Sequence, residues 1–339
     1  MGDAHRPRSV LLTGGAGFIG SNLVHHLIAS DPALRLVNLD VMTYAADRGH
    51  LEGLADPSRH VLVEGDITDR ALVDRLLREH EVDTVVHLAA ESHVDRSITG
   101  PAAFVQSNIV GTYTLLEAAR SWWLDQGGAS DGTRRFHHVS TDEVYGDLGP
   151  DDPPFTEETP YRPSSPYSAS KASSDHLVRA WARTYGLPVT LSNCSNNYGP
   201  RQHPEKLIPV VIRSCVERRP IPVYGKGENV RDWLHVTDHC TAIDAIVRRG
   251  AQGETYLVGA DNERKNLDLV RILCQVVAEE IGAPADEILG LISFVTDRPG
   301  HDRRYGVDGS KTRALGWSAD RSFDEGLRET VRWYLPRFA

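Results

Sequence analysis

The stretch Ser9-Val10-Leu11-Leu12-Thr13-Gly14-Gly15-Ala16-Gly17-Phe18-Ile19-Gly20 decides the fold. Ser9–Thr13 reads as a short apolar strand, the glycines follow at once, and Ser21–Ser30 reads as a helix. Glycine permits the tight turn between the two and lets the backbone approach a pyrophosphate. The free N–H groups and positive dipole end of the helix favour an anion there. A second strand, Leu36–Asp40, ends on a carboxylate 20 residues past Gly20. Such a carboxylate accepts hydrogen bonds from ribose hydroxyls and repels a 2′-phosphate, so the expected cofactor is NAD rather than NADP. Asp66, after a third strand at Val61–Glu64, is placed to reach the adenine.

The same rhythm continues outward. Ala71–Glu79 carries Leu72, Val73, Leu76 and Leu77 at helical spacing. Asp83–Ala90 reads as a fourth strand, Pro101–Leu124 as a long helix, Phe136–Ser140 as a fifth strand, Ser168–Tyr185 as a helix and Val189–Ser192 as a further strand. Alternation at this pace predicts an α/β fold, a Rossmann-type doubly wound parallel sheet with helices on both faces. Asp147–Pro166 is rich in Pro, Asp, Thr and Ser and reads as a surface loop. From about Pro200 the pieces shorten, with helices around Glu205–Val216 and Leu267–Ile281. They are expected to form a smaller α/β C-terminal substrate lobe at the carboxyl edge of the sheet, where open α/β sheets bind ligands. The division expected is an NAD-binding lobe over 9–200 and a substrate lobe over 201–335, with interleaved boundaries and later segments returning to the first lobe.

The chain has 339 residues, 40% of them hydrophobic, enough for a large core or two unequal ones. A formal net charge of -10 argues against general nucleic-acid binding, which rests on neutralising phosphates. Cys194, Cys215, Cys240 and Cys274 form no CxxC pair, so they read as buried free thiols and no metal site is expected. His137 and His138 are consecutive on a strand, face opposite ways and cannot share a metal. His93 and His203 have no ligand spacing and read as structural or substrate-adjacent. No run approaches the roughly 20 apolar residues of a membrane span. A cytoplasmic enzyme without a membrane partner is the expectation.

Tyr167 and Lys171 are four apart at the start of a helix and so share one face. A nearby ammonium favours a phenolate, which lets the tyrosine take a hydroxyl proton as hydride leaves. Thr141, at the end of the fifth strand, can bond the same hydroxyl. Beside it stands the doublet Asp142-Glu143. A dehydrogenase or epimerase needs only the tyrosine and a hydride acceptor. An elimination also needs a base for a carbon-bound proton and an acid for the leaving hydroxyl, and two adjacent carboxylates with split protonation supply both.

Six stretches extend the pattern: Leu88–Ser97, Ser140–Gly146, Ser165–Lys171, Asn193–Pro200, Pro204–Pro209 and Asp297–Tyr305. With the glycine loop and Asp40 they resemble extended short-chain dehydrogenases, and within them the dTDP-glucose 4,6-dehydratase family, over about residues 9 to 335. The resemblance implies a catalytic set of Thr141, Asp142, Glu143, Tyr167 and Lys171. It implies NAD contacts from Gly14, Gly17, Phe18, Ile19, Gly20, Asp40, Met42, Thr43, Asp66, Ile67, Leu88, Ala89, Ala90, Ser107, Tyr167, Lys171 and Asn197. On the sugar-nucleotide side it implies Ser92, Thr141, Asp142, Glu143, Asn196, Lys206, Leu207, Pro222, Tyr224, Arg231, Asn266, Arg298 and His301. A homodimer through 101–124 and 168–185 is also implied. The chain departs from the family pattern at Val41, at Ala46-Asp47, and at Arg201 and His203. The nearest alternative is a sugar-nucleotide 4-epimerase or decarboxylase on the same fold. A non-catalytic NAD-binding regulator is the other, and it would have no use for Tyr167, Lys171 and the doublet together.

Overall fold

A computed structural model describes residues 4–125, 133–297 and 300–338. Its strands, in chain order, are β1 (Ser9–Thr13), β2 (Arg35–Asp40), β3 (His60–Glu64), β4 (Thr84–His87), β5 (Arg135–Thr141), β6 (Val189–Cys194), β7 (Asn196–Tyr198), β8 (Ile221–Tyr224), β9 (Val230–His235), β10 (Thr255–Val258), β11 (Glu263–Lys265) and β12 (Ile292–Val295). Seven of them form one parallel sheet in the order β10-β6-β5-β4-β1-β2-β3. The order reverses between β1 and β4, and that switch point opens the crevice used below.

The sheet is buried on both faces because successive side chains of each strand point opposite ways. Leu11, Val37, Val85 and Phe136 pack with Leu116, Trp123 and Val178 on one side. Leu12, Leu36, Val86 and Val139 pack with Leu23, Val24, Val236 and Ile243 on the other. The Val236–Arg249 helix and β10 therefore belong to the large sheet although they lie late in the chain. The smaller lobe has its own core of Ile208, Ile212, Val223, Trp233, Leu273, Val277, Leu327 and Val331. It carries a three-stranded sheet, β11-β9-β7, and a two-stranded one, β12-β8.

Three elements differ from the reading of the sequence in ways that bear on the site. The fourth strand stops at His87 instead of running to Ala90. The helical run from Pro101 to Asp125 is interrupted by two wide-turn π segments, Val105–Val110 and Ser121–Asp125. The Pro166–Tyr185 helix begins two residues early, because Ser165 caps it reciprocally with Ser168 and Pro166 occupies the first turn. The four cysteines are buried and free. Among the described residues no helix is long and apolar enough to cross a membrane.

Candidate active site

A cavity of about 510 Å3 lies over the carboxyl ends of β1, β2, β4 and β5. The glycine loop forms its floor. Gly14 has φ +76°, and a Cβ there would stand 2.8 Å from the Ala89 backbone, so the loop and the strand-end segment Leu88–Ala90 touch directly. This close approach is why β4 ends early. A Cβ on Gly20 would lie 2.1 Å from the Gly14 carbonyl oxygen, whereas one on Gly17 would meet that atom only at 3.4 Å. Gly17 starts the Phe18–Ser30 helix without a side-chain cap, leaving first-turn N–H groups available beside the cavity. Asp40 is buried. Its Oδ2 accepts from Ala16 N at 2.9 Å and its Oδ1 from Met42 N at 2.9 Å, with a second lone pair left on each oxygen. This floor fits a dinucleotide: bare backbone under a diphosphate and a carboxylate at the end of β2.

Most residues singled out in the sequence line this cavity: Gly14, Gly17, Phe18, Ile19, Gly20, Asp40, Thr43, Asp66, Ile67, Leu88, Ala89, Ala90, Ser107 and Asn197 on one side, with Ser92, Thr141, Asp142, Glu143, Tyr167, Lys171, Asn196 and Lys206 toward the other. Met42 is not among the lining residues. Its backbone, at φ 55°, turns its N–H onto Asp40. Leu207, Pro222, Tyr224, Arg231, Asn266 and His301 stand outside this cavity's walls. Arg298 falls outside the described residues. Gln106, Cys194 and Gln202 also line the cavity, and no motif signal pointed to them as lining residues.

At the inner end, β5 runs into a single tight helical turn, Asp142–Tyr145, which begins at Thr141. The Thr141 hydroxyl accepts from Glu143 N at 3.3 Å and donates to Asp142 Oδ1 at 3.3 Å. The Tyr167 side chain lines the same part of the cavity and feels the Thr141 hydroxyl. Asp142 is 2% exposed. Burial first, and then the charge of Glu143, hold its carboxyl well above the ordinary range, against the opposing pull of Arg231. Its Oδ2 is buried with no hydrogen-bond partner among the described residues. Asp142 is thereby biased toward its protonated form beside a second carboxylate, the kind of setting in which one carboxyl can serve as acid and the other as base.

Tyr167 departs from expectation. The sequence suggests that Lys171 lowers its pKa. Instead burial, then Glu143 and Cys194, raise it well above the ordinary phenol value, with only the Thr141 bond acting the other way. The reason is geometric: the Lys171 amine donates to the Val139 carbonyl at 3.0 Å. Burial also brings that amine down to about 8.

The outer residues make a second, looser group. Arg231 is buried, donates to the Asp302 carbonyl at 2.9 Å and lies over the Tyr305 ring at 4.0 Å, so its cation reaches Asp142 through space. Tyr224 meets His301 edge-on at 6.3 Å, and His301 bonds Asp297 at 2.6 Å. The side-chain oxygens of Asn196 and Asn266 are buried with no hydrogen-bond partner among the described residues. Lys206 reaches the Ser92 carbonyl at 3.3 Å. Two of the positions that depart from the family pattern reach the glycine-loop side: Arg201 donates to Asn22 Oδ1 at 2.8 Å, and His203 packs edge-on against Tyr44 at 5.4 Å. His137 and His138 do face opposite ways: His137 bonds Thr190 at 2.9 Å, while His138 lies 3.2 Å from Asp175.

A Rossmann sheet with a Tyr–Lys pair on one helix face and a carboxylate doublet at the adjacent strand end defines a protein of the short-chain dehydrogenase type. The family model described as GDP-mannose 4,6 dehydratase matches residues 11–330. The dTDP-glucose 4,6-dehydratase 1 of Escherichia coli (strain K12) is 54% identical over 335 residues, covering 96% of this chain and 92% of the relative. The dTDP-glucose 4,6-dehydratase of Streptomyces venezuelae, solved with NAD and dTDP bound, is 46% identical, with a TM-score of 0.86 over 96% of each chain. UDP-glucose 4-epimerase from Thermotoga maritima, solved with UDP-glucose, shares the fold at a TM-score of 0.85 over 98% of this chain and 100% of that chain, at 27% identity. This chain belongs to the dTDP-glucose 4,6-dehydratase family.

Proposed function

We propose that this chain removes water across C5 and C6 of dTDP-glucose, with NAD as its cofactor, to give dTDP-4-keto-6-deoxyglucose for deoxysugar biosynthesis. The observation that carries the reading is the buried Asp142, its carboxyl pushed up by burial and by Glu143 beside it, at the inner end of a cavity shaped for a dinucleotide, bonded to Thr141 and close to Tyr167. A 4-epimerase on this fold has no step that uses such a pair.

NAD, held by Gly14, Gly17, Gly20 and Asp40, would supply a hydride acceptor for C4 and a hydride donor for C6. Tyr167, steadied by Thr141, takes the C4 hydroxyl proton. The resulting 4-ketone acidifies C5–H, and Glu143 removes that proton and gives one back to C5 when hydride is delivered to C6. Asp142 donates its proton to the departing C6 hydroxyl. Gly14, Gly17 and Gly20 with Asp40 hold the cofactor. Asn196, Lys206, Arg231 and Asn266 face the nucleotide diphosphate, with Tyr224 and His301 at its base end. Arg298 belongs to the same proposal.

A homodimer and a cytoplasmic location complete the proposal. Val105, Tyr113 and Tyr185 are exposed along the helical layer of residues 101–125 and 166–185, an apolar strip suited to a second copy. A monomer mass by light scattering would refute the dimer. The activity is tested by incubating the protein with NAD and dTDP-glucose and measuring mass: loss of one water without net NADH is expected. A C4 epimer of unchanged mass would refute the dehydratase reading.

A further inference from the structure

The helix that carries Tyr167 and Lys171 also carries Asp175, which the steps above leave unused. Spacings of four set the three residues along one side of the helix, toward β5 and β6. Asp175 has no exposed surface, yet its carboxylate is met from several elements. His138 on β5 lies 3.2 Å from Oδ1, Asn193 on β6 donates to Oδ2 at 3.0 Å, and Tyr161 donates to Oδ2 at 2.8 Å. Burial works to raise this carboxyl, but the close His138 ring and the Lys171 cation hold it below the ordinary value. It is a buried anion kept ionised by donors, a costly arrangement unless something uses the charge.

What lies next to it is the Lys171 amine, 3.5 Å from the same His138 Nε2. Burial lowers that amine, and Asp175 is the foremost charge resisting the fall. His138 is neutral, its pKa brought to about 4 by burial and then by Lys171. A neutral imidazole nitrogen either donates or accepts. Nε2 of His138 therefore accepts from the Lys171 amine at 3.5 Å while standing 3.2 Å from Asp175 Oδ1, and Nδ1 and that carboxylate oxygen are both buried with no hydrogen-bond partner among the described residues. The carboxylate therefore acts on Lys171 across the edge of the ring and not through a direct ion pair. The amine keeps its charge without being tied down by it.

The other groups facing this cluster supply no competing anion. His87 on β4, 5.1 Å from the His138 ring, is held neutral by burial and bonded to Thr13 and Thr112. Burial raises the Cys194 thiol on β6 and the phenols of Tyr145 and Tyr161. Arg179, one turn beyond Asp175, donates to the Tyr161 hydroxyl at 2.7 Å. We propose that Asp175, acting through His138, is a positioning residue that keeps Lys171 in its charged form one helical turn behind Tyr167.

The proposal rests on the dehydratase reading, and the test separates the two. Profiles of kcat against pH are recorded with NAD and dTDP-glucose for the wild type, Asp175→Asn and Asp175→Glu. If the wild type releases no water, the dehydratase reading fails. With an active wild type, activity should fall as pH rises through the Lys171 titration, and Asp175→Asn should move that alkaline limb down by roughly one pH unit. Asp175→Glu should leave the limb in place even if kcat drops. In a Lys171→Arg background, where residue 171 stays charged at any working pH, Asp175→Asn should not move the limb. An evenly lowered profile with an unmoved limb in Asp175→Asn would overturn the proposal. Should Asp175→Asn not fold, His138→Leu decides it: the limb moves down as the Nε2 bridge is lost, or it stays and the proposal falls.

Discussion

At the inner end of the cleft, Thr141, Asp142, Tyr167 and Lys171 sit on one strand end and one long helix of the seven-stranded sheet, and all four are buried. At the outer end, Tyr224 and His301 ride on the small two-stranded sheet and the segment after it, and Tyr224 is 44% exposed. In the inner group Thr141 bonds Asp142, and the Val139 carbonyl holds the Lys171 amine. In the outer group Tyr224 meets His301 edge-on, and His301 bonds Asp297. This difference matches two tasks. Proton transfer depends on protonation states that only a dry, fixed setting can split, whereas a nucleotide can be gripped by side chains that adjust.

The largest expected effects lie at the inner end. Tyr167→Phe should cut water loss by roughly 10²- to 10⁴-fold, the usual worth of a positioned acid–base group, and should abolish NADH formation in single-turnover absorbance. Asp142→Asn should lower water loss by a comparable factor, roughly 10²- to 10⁴-fold, while C4 oxidation persists, so that NADH absorbance rises and stays. If both steps are lost together, Asp142 is not specific to the elimination. Asp142 also carries a stability signature. Its folded pKa lies above its unfolded value, so its contribution is fully present below the unfolded pKa, near 3.8, and is lost as pH rises toward the folded pKa. Asp142→Asn removes that loss, so its melting temperature, scanned from pH 5 to 8, should fall less than that of the wild type.

How far each end can be read from sequence follows the same division. Inner-end motifs are local: β1, the glycine loop and the following helix are contiguous, and Tyr167 and Lys171 are one turn apart. The strand end at His87 was overextended to Ala90, because the apolar run continues while the backbone turns away to wall the cavity against Gly14. The π segments in the helix after Pro101 leave no mark in the apolar periodicity. Strand β10 has only four residues, and nothing local sends it back to the edge of the large sheet beside β6. His138 and Asp175 lie far apart in sequence and meet only because one helix lies across β5 and β6. Spacing pairs Lys171 with Tyr167 but cannot show that the Lys171 amine donates to the Val139 carbonyl.

Glycine-loop substitutions sharpen the comparison within the cavity floor itself. Gly20→Ala drives a Cβ to 2.1 Å from the Gly14 carbonyl oxygen and 2.7 Å from Gly15 Cα, and backbone cannot yield as a flexible side chain does. Such overpacking should cost about 1–3 kcal/mol, read as a fall in melting temperature with and without NAD. Gly17→Ala meets the protein only at 3.4 Å, so the protein alone should be little changed. Any weakening there should appear only in NAD affinity, measured by calorimetry. Equal destabilisation by the two would refute the distinction between a packing glycine and a ligand-facing one.

The smallest effect is expected at the outer end, with Tyr224→Ala. The ring is half-exposed and contacts His301 only edge-on, so its removal should leave the fold and the inner hydrogen bonds intact. If Tyr224 packs against the base of the bound nucleotide, the loss is of the order of one stacking contact, about 1 kcal/mol, or roughly fivefold in KM. Because the base is remote from C4, C5 and C6, the contact is the same in ground and transition states, and kcat should hold. A fall in kcat with KM unchanged would mean that the outer lobe also sets the geometry at the carboxylate doublet. The Arg231 cation, which rests on the Tyr305 ring and reaches Asp142, would then be the connection to examine by Tyr305→Phe.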